Sequence, residues 1–331
     1  MQSVINLPKV SFIVVSHNFE HFIVDCLNSI KKQTYRNFEI IAVDDLSTDS
    51  TSVKIEEFAA ENPDLNVKFI KNKENVGQLA SFLVGLKEAT GEFVSQIDGD
   101  DVLFEDYALL HVEAHLRTSV SLTSCQHVDI DENNTLHSIE SVDCPQKQDC
   151  GFSLKCKDEE GLQTACFPAR EPGEDLDVKI LSNDKYSFAT WHWSPASSGM
   201  MRKSVCDMLL QLKNPQKIKI TADKFVFSFM HLMGSSAFIY RPLYAYRRHG
   251  SNYSLANPVM GSTRYLKTKT QKNYIRNNKL IRQSMLSFVL ENYSYFSEKL
   301  NRANVARIIK KIIFSFDFST LKSVIKSLFI W

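Results

Sequence analysis

The chain has no run of 18 or more apolar residues, so no membrane-spanning helix is expected in its 331 residues. Its opening, Met1 to Pro8, lacks the basic start and long apolar core of a secretory leader, which makes the cytoplasm the expected compartment. Internal repeats and low-complexity tracts are absent, which removes repeat architectures. Glycine is missing where a dinucleotide-binding fold requires it: the turn after the first apolar run reads Ser16-His17-Asn18-Phe19-Glu20. No Gly-x4-Gly-Lys-Ser/Thr phosphate loop occurs either. Close cysteine pairs of the zinc-site kind are also lacking. Cys144, Cys150, Cys156 and Cys166 are separated by five, five and nine residues and read as reduced thiols in an inserted segment. Cys26, Cys125 and Cys206 sit among apolar residues and read as small buried side chains.

What is present describes a globular α/β protein. Hydrophobic residues make up 44% and charged residues 23%, ordinary values for a soluble domain. Val10 to Ser16 and Phe38 to Asp44 are short β-branched apolar runs, the pattern of buried parallel strands. Residues 19–33 carry Phe22, Ile23, Cys26, Leu27 and Ile30 at helical spacing. Ser47 to Ser50 supply capping side chains for a second helix with Val53, Ile55 and Phe58. A third strand at Val67 to Ile70, a helix over 78–89 and a strand over Glu92 to Ile97 complete a β-α-β-α-β-α-β series. That alternation predicts a parallel sheet with helices on both faces, binding ligands beyond the carboxyl ends of its strands.

The last of these strands runs into Asp98-Gly99-Asp100-Asp101. Three carboxylates in four residues repel one another unless a hard divalent cation such as Mg²⁺ or Mn²⁺ lies among them, and such a cation commonly bridges to a diphosphate. A solvated acidic turn is the plainer alternative. The segment is no EF-hand, because Leu103 occupies the position that needs glycine. Strand order would gather Ser16-His17-Asn18, Asp44-Asp45 and Asp98 to Asp101 at one crevice, which favours a ligand site.

Taken in order, these blocks resemble the inverting glycosyltransferases of family 2. Val10 to Asn18, Gln33 to Asp49, Asn75-Val76-Gly77-Gln78, Ala89-Thr90-Gly91-Glu92-Phe93 and Asp98 to Asp101 carry the resemblance. It is strong over residues 9–130, patchy over 190–255 and absent elsewhere. It implies a GT-A fold, a Rossmann-like, mostly parallel sheet with helices on both faces, followed here by a C-terminal helical extension. By resemblance, Val15, His17 and Asp45 would contact the nucleotide base, Asp98 the ribose or sugar, and Asp100 and Asp101 a Mn²⁺ or Mg²⁺ ion. Asp223, in Thr221-Ala222-Asp223-Lys224, would be the catalytic base; a plain N-cap is its alternative. His249, in Tyr246-Arg247-Arg248-His249, would be a third metal ligand or a diphosphate contact, with Arg247 or Arg248 supplying phosphate charge. The Arg-Asn pair that the family often carries after Gly77 is Phe82-Leu83 here, so no basic contact is expected from those positions.

Four segments are expected: a donor half over 1–130, a cysteine-bearing insertion over 131–190, an acceptor half over 191–260 and a basic helical tail over 261–331. From Gly261 on, 14 basic residues face 3 acidic ones, against totals of 39 and 38. The body is left acidic and the tail basic, which suggests an anionic partner surface. Val305, Ile308, Ile309, Ile312, Ile313 and Phe316 form an apolar stripe, repeated by Leu321, Val324, Ile325, Leu328 and Phe329. These stripes suit either packing on the body or a second subunit, or contact with a membrane surface. Trp191, His192 and Trp193 are candidates for sugar stacking or for the core. The reading is a metal-dependent transferase taking a UDP-sugar to a glycan or lipid-linked acceptor, as in surface polysaccharide assembly. It would be cytoplasmic or peripheral on the inner membrane face, with oligomeric state open and no nucleic acid involved. The alternatives are an inactive nucleotide-binding scaffold of the same fold or a nucleotidyltransferase.

Overall fold

A computed structural model describes residues 6–140, 155–157, 164–166, 175–183, 193, 195–218, 222–250 and 269–315. Strands β1 (Val10–Ser16) and β2 (Phe38–Asp44) occupy the expected bounds and pair in parallel. Helix α1 begins only at Ile23 and runs to Lys31. Residues before it turn because Asn18 sits at φ 58°, and the Phe19 and Glu20 amides donate to Thr51 Oγ1 and Asp49 Oδ2. Helix α2 (Thr51–Glu61) is capped by Asp49, whose Oδ1 accepts the Thr51 amide; Ser50, at the N-cap position, makes no side-chain bond. Strand β3 (Val67–Lys71), helix α3 (Gln78–Glu88) and strand β4 (Phe93–Asp98) follow.

Next come β5 (Val102–Leu103), α4 (Tyr107–Arg117), β6 (Leu122–Ile130) and β7 (Leu136–Glu140). The hairpin strands β8 (Lys155–Lys157) and β9 (Thr164–Cys166) pair only with each other. They contain Cys156 and Cys166, whose side chains, with all of Cys144 and Cys150, lie outside the described residues. Beyond them are β10 (Val178–Leu181), β11 (Gly199–Arg202), α5 (Lys203–Cys206), α6 (Ala222–Gly234) and β12 (Ser236–Arg247). Strand β11 is only four residues long. After Pro195 the chain makes a 3-10 turn over Ala196–Ser198 that brings Ser198 Oγ to Ser124 Oγ at 2.8 Å.

The described strands form a ten-stranded sheet in the order β10-β12-β6-β11-β4-β1-β2-β3, with β5 and β7 attached to β12 and β6. Neighbours from β4 through β3 are parallel, as are β6 and β12, while β11 runs against both of its neighbours. Period-2 alternation sends Phe12, Val14, Phe93 and Ile97 to one face, against α1, α2 and α4. Ile13, Val15, Val94 and Leu122 face the other side, against α3 and α6. Cys26, Cys125 and Cys206 are buried and unpaired, as expected.

The C-terminal region adds α7 (Lys269–Glu291), α8 (Tyr293–Leu300) and α9 (Arg302–Phe314). The first stripe of the tail faces the body: Val305, Ile308 and Ile312 are buried in the same core as Phe225, Phe229, Phe288 and Phe296. Asn301 caps α9 by accepting the Asn304 amide on its side chain. The second stripe, from Leu321, lies outside the described residues, as does Phe316. No helix among the described residues is long and apolar enough to cross a membrane.

Candidate functional site

Strand β1 ends between two acidic strand ends, with Ser16 opposite Asp44 on one side and Val15 opposite Asp98 on the other. On the β2 side, Asp44 is fully buried and accepts the hydroxyls of Ser47 and Ser52 and the Ser47 amide at 3.1 Å. Asp45 accepts Asn72 Nδ2 and the Val76 amide on Oδ1, both at 2.9 Å, and the Gly77 amide on Oδ2 at 2.7 Å. A carboxylate offers about four lone-pair sites, so Asp45 retains one. His17 is exposed beside it, with Nδ1 2.9 Å from the Asp45 carbonyl oxygen. Val15 is buried in the ladder and accepts the Gly99 amide at 2.9 Å.

On the β4 side, the acidic turn doubles back tightly. The Asp101 amide donates to the Asp98 carbonyl at 3.1 Å. A Cβ on Gly99 would lie 3.0 Å from Ser16 Cβ and 3.1 Å from Ile23 Cδ1, so a side chain there would displace β1 or α1. Oxygen atoms of Asp98, Asp100 and Asp101 lie within 4.8 Å of one another. Asp98 Oδ1 accepts Gln78 Nε2 at 2.7 Å, and the Asp98 amide donates to Ser197 Oγ at 3.0 Å. Asp101 Oδ1 accepts the Arg247 amide at 3.0 Å, but its Oδ2 is buried with no hydrogen-bond partner. Burial, then Asp100, then Asp223 push the Asp98 carboxyl up to about 8, although Gln78 opposes the shift. Burial, together with Asp100 and Asp98, also raises Asp101 well above the carboxylate range.

These residues fit a hard cation. Three crowded carboxylates, one with an orphaned buried oxygen, have oxygen donors in excess and too little positive charge, which a Mg²⁺ or Mn²⁺ ion would supply. His249 adjoins that group: its Nε2 lies 2.8 Å from Asp100 Oδ2, and its ring packs on Phe22 with centroids 4.8 Å apart. Arg247, expected as a phosphate contact, is turned away from the crevice. It is fully buried beneath the turn, where Nε donates to the Asp100 carbonyl at 2.8 Å and the terminal nitrogens to Asp131, Asn134 and Asp25. Its guanidinium also lies 4.9 Å above the Phe22 ring. A side chain committed to that many partners braces the turn from below. Arg248 pairs with buried Asp129 at 2.9 Å.

Asp223 lies in the first turn of α6, inside the helix, with Oδ1 accepting the Lys224 amide at 2.7 Å. Burial raises its carboxyl, offset by Lys224. Its influence on Asp98 brings the two together across 125 residues of sequence. Trp193 is a core residue: fully buried, it donates from Nε1 to Ser236 Oγ at 3.0 Å and meets Phe227 edge-on. Trp191, His192 and Thr221 lie outside the described residues. Sequence reading missed Gln78 and Ser197. The first lay in a quoted block, but nothing marked its amide; the second is 99 residues from its partner.

The fold is of the GT-A type. The fold matches TarS residues 1–349 of S. aureus, crystallised with UDP-GlcNAc, at a TM-score of 0.53 and 17% identity, covering 94% of this chain and 82% of that one. Residues 11–165 match the model of glycosyl transferase family 2. An uncharacterized glycosyltransferase of Nostoc sp. is 27% identical over 244 residues, 74% of this chain and 66% of the relative. The Escherichia coli enzyme WfgD, a UDP-Glc:alpha-D-GlcNAc-diphosphoundecaprenol beta-1,3-glucosyltransferase, is 31% identical over 125 residues, 38% of this chain and 48% of WfgD. The matched stretches thus span about half to two thirds of these relatives' own length.

Proposed function

We propose that this protein is an inverting glycosyltransferase that moves a sugar from a nucleotide-diphosphate donor, a UDP-sugar, to a hydroxyl of a glycan or lipid-linked acceptor. The observation carrying this reading is the meeting of Asp98, Asp100 and Asp101 with Asp223, a carboxylate fixed by a helix start and set within electrostatic reach of Asp98. Asp100 and Asp101 would hold a divalent cation, which when bound neutralises charge on the leaving diphosphate. His249 and Arg247 orient Asp100 and brace the turn from below. Asp45 keeps a lone pair for the imide N–H of a uracil, and Asp98 faces the sugar.

Asp223 takes the proton from the acceptor hydroxyl as its oxygen attacks the anomeric carbon from the face opposite the diphosphate, which inverts that carbon. Its raised pKa suits a base that must hold the proton once taken. The UDP preference and a lipid-linked acceptor are supported by the activity of the E. coli relative WfgD. Arg302, Arg307 and Lys310 are exposed on α9 while its apolar face is buried. Any contact of α9 with an anionic membrane is therefore electrostatic, and high salt would release it.

The test measures Mn²⁺-dependent transfer or donor hydrolysis for the wild type and Asp223→Asn. Turnover should fall by about 10²- to 10⁴-fold while UDP affinity is kept. Unchanged turnover in Asp223→Asn would remove it as the base. UDP binding without turnover on any donor would favour a scaffold that keeps the fold but has lost the reaction.

A further inference from the structure

We propose that Leu46 is a donor-binding residue, its exposed side chain being the apolar surface on which the nucleotide base rests. The proposal rests on the nucleotide-sugar reading above and adds to it a residue that takes no part in the chemistry.

Leu46 follows Asp45 directly and holds a left-handed backbone, with φ at 58°. Among the described residues, the other non-glycine positions of positive φ are Asn18, Asn134, Asn214, Ser235 and Asn301. Asparagine tolerates this conformation because its short side chain bonds locally, as Asn18 does by accepting the Thr48 amide at 2.8 Å. A leucine has no such bond to make, and its Cβ crowds the following carbonyl. The loop enforces the conformation from both sides. The Asp45 amide donates to the Ser16 carbonyl at 2.8 Å, and Ser47 Oγ accepts the Asn18 amide at 2.9 Å. The Asp45 carbonyl lies 2.9 Å from His17 Nδ1 and accepts Asn75 Nδ2 at 3.3 Å.

Folding recovers little from this side chain. Leu46 is 37% exposed and joins none of the apolar cores formed by the described residues. A glycine would hold the same φ without strain. A strained, exposed, apolar residue beside a carboxylate with a free acceptor points to a ligand that meets both. Asp45 retains one lone pair after taking three N–H donors. Consecutive Cα atoms lie about 3.8 Å apart, so a ring that donates an N–H to Asp45 comes within reach of the Leu46 side chain. A pyrimidine imide offers both parts, a single N–H on its edge and a flat face beside it. A diphosphate offers neither. Apolar walls with a few placed polar groups are the ordinary make-up of such pockets.

Calorimetry of UDP with Mn²⁺ present, alongside urea unfolding, tests this on the full chain with Leu46→Gly, Leu46→Ala and Leu46→Met. UDP affinity should fall about fivefold in Leu46→Gly and Leu46→Ala, where the apolar area is lost, and stay within about twofold in Leu46→Met. Leu46→Gly should nonetheless unfold at the same or a higher urea concentration, because the left-handed strain is relieved. Unchanged UDP affinity in both Leu46→Gly and Leu46→Ala overturns the proposal. So does an equal loss in Leu46→Met. A lower urea midpoint in Leu46→Gly overturns it as well, since the side chain would then serve the fold. Wild type that binds no UDP at all overturns the nucleotide-sugar reading, and this inference with it.

Discussion

Asp44-Asp45 and Asp98 to Asp101 stand on either side of β1, at the same end of one sheet, yet their carboxylates live in opposite conditions. The β2 pair is well supplied with donors: two serine hydroxyls and an amide on Asp44, two amides and an asparagine on Asp45. The β4 group is short of them. Asp101 keeps a buried oxygen with no partner, and burial with mutual repulsion raises Asp98 and Asp101. Adjacent strand ends of similar composition thus became an anchor and a charge trap. A charge trap is costly to fold and useful only if something positive arrives, and for that reason we read the β4 group as the seat of chemistry.

Exchanging charge for amide at the two ends should separate them most sharply. Asp100→Asn or Asp101→Asn should cut metal-dependent turnover by about a hundredfold or more. Urea unfolding of the same metal-free variants should be unchanged or shifted to higher urea, because an amide relieves the repulsion. If either variant lost stability and kept activity, the trap would be an anchor after all. The opposite behaviour is expected at β2. Asp44→Ala strands two hydroxyls and an amide in the interior and should cost about 3 kcal/mol of stability, read from urea midpoints. UDP affinity measured well below its unfolding temperature should change little.

A smaller effect sets the pH range in which these comparisons are clean. His111 and His115 lie buried on α4; burial holds His115 at about 3 and, with His115 beside it, His111 well below the ordinary value. In the unfolded chain both titrate near pH 6.5, so between 6.5 and about 3 the unfolded state binds more protons and stability falls as pH falls. Each should remove up to about 1.4 kcal/mol per pH unit below 6.5. A His115→Gln variant that folds should show a flatter acid limb in urea titrations between pH 6.5 and 4.5. An acid limb equally steep in that variant would take His115 out of the account.

Much of the donor half was legible because short β-branched runs and their polar ends have local causes. The bounds of β1 and β2 follow from Val10 to Ser16 and Phe38 to Asp44 being apolar on both faces. The placement of Arg247 was not legible for a physical reason. An arginine beside a histidine looks like phosphate chemistry, but its long side chain was drawn under the turn by carbonyls and carboxylates from Asp25, Asp100 and Asp131. The tail stripe illustrates the converse. Its period fixed a helix with one apolar side, while the aromatic core of α6, α7 and α8 decided that this side faces inward.

By itself, the sequence determined the alternating α/β plan, the acidic turn after β4 and the resemblance to family 2, since each depends on residues close together in the chain. Tertiary structure decided which carboxylates are satisfied and which are left wanting a cation, because most of their donors come from distant segments. Ser47, Ser52, Asn72 and the Val76-Gly77 amides went to β2. The β4 carboxylates received one glutamine and the backbone of a strand almost 150 residues away. A carboxylate's charge is written in the sequence, but its partners are assigned only when the chain is folded.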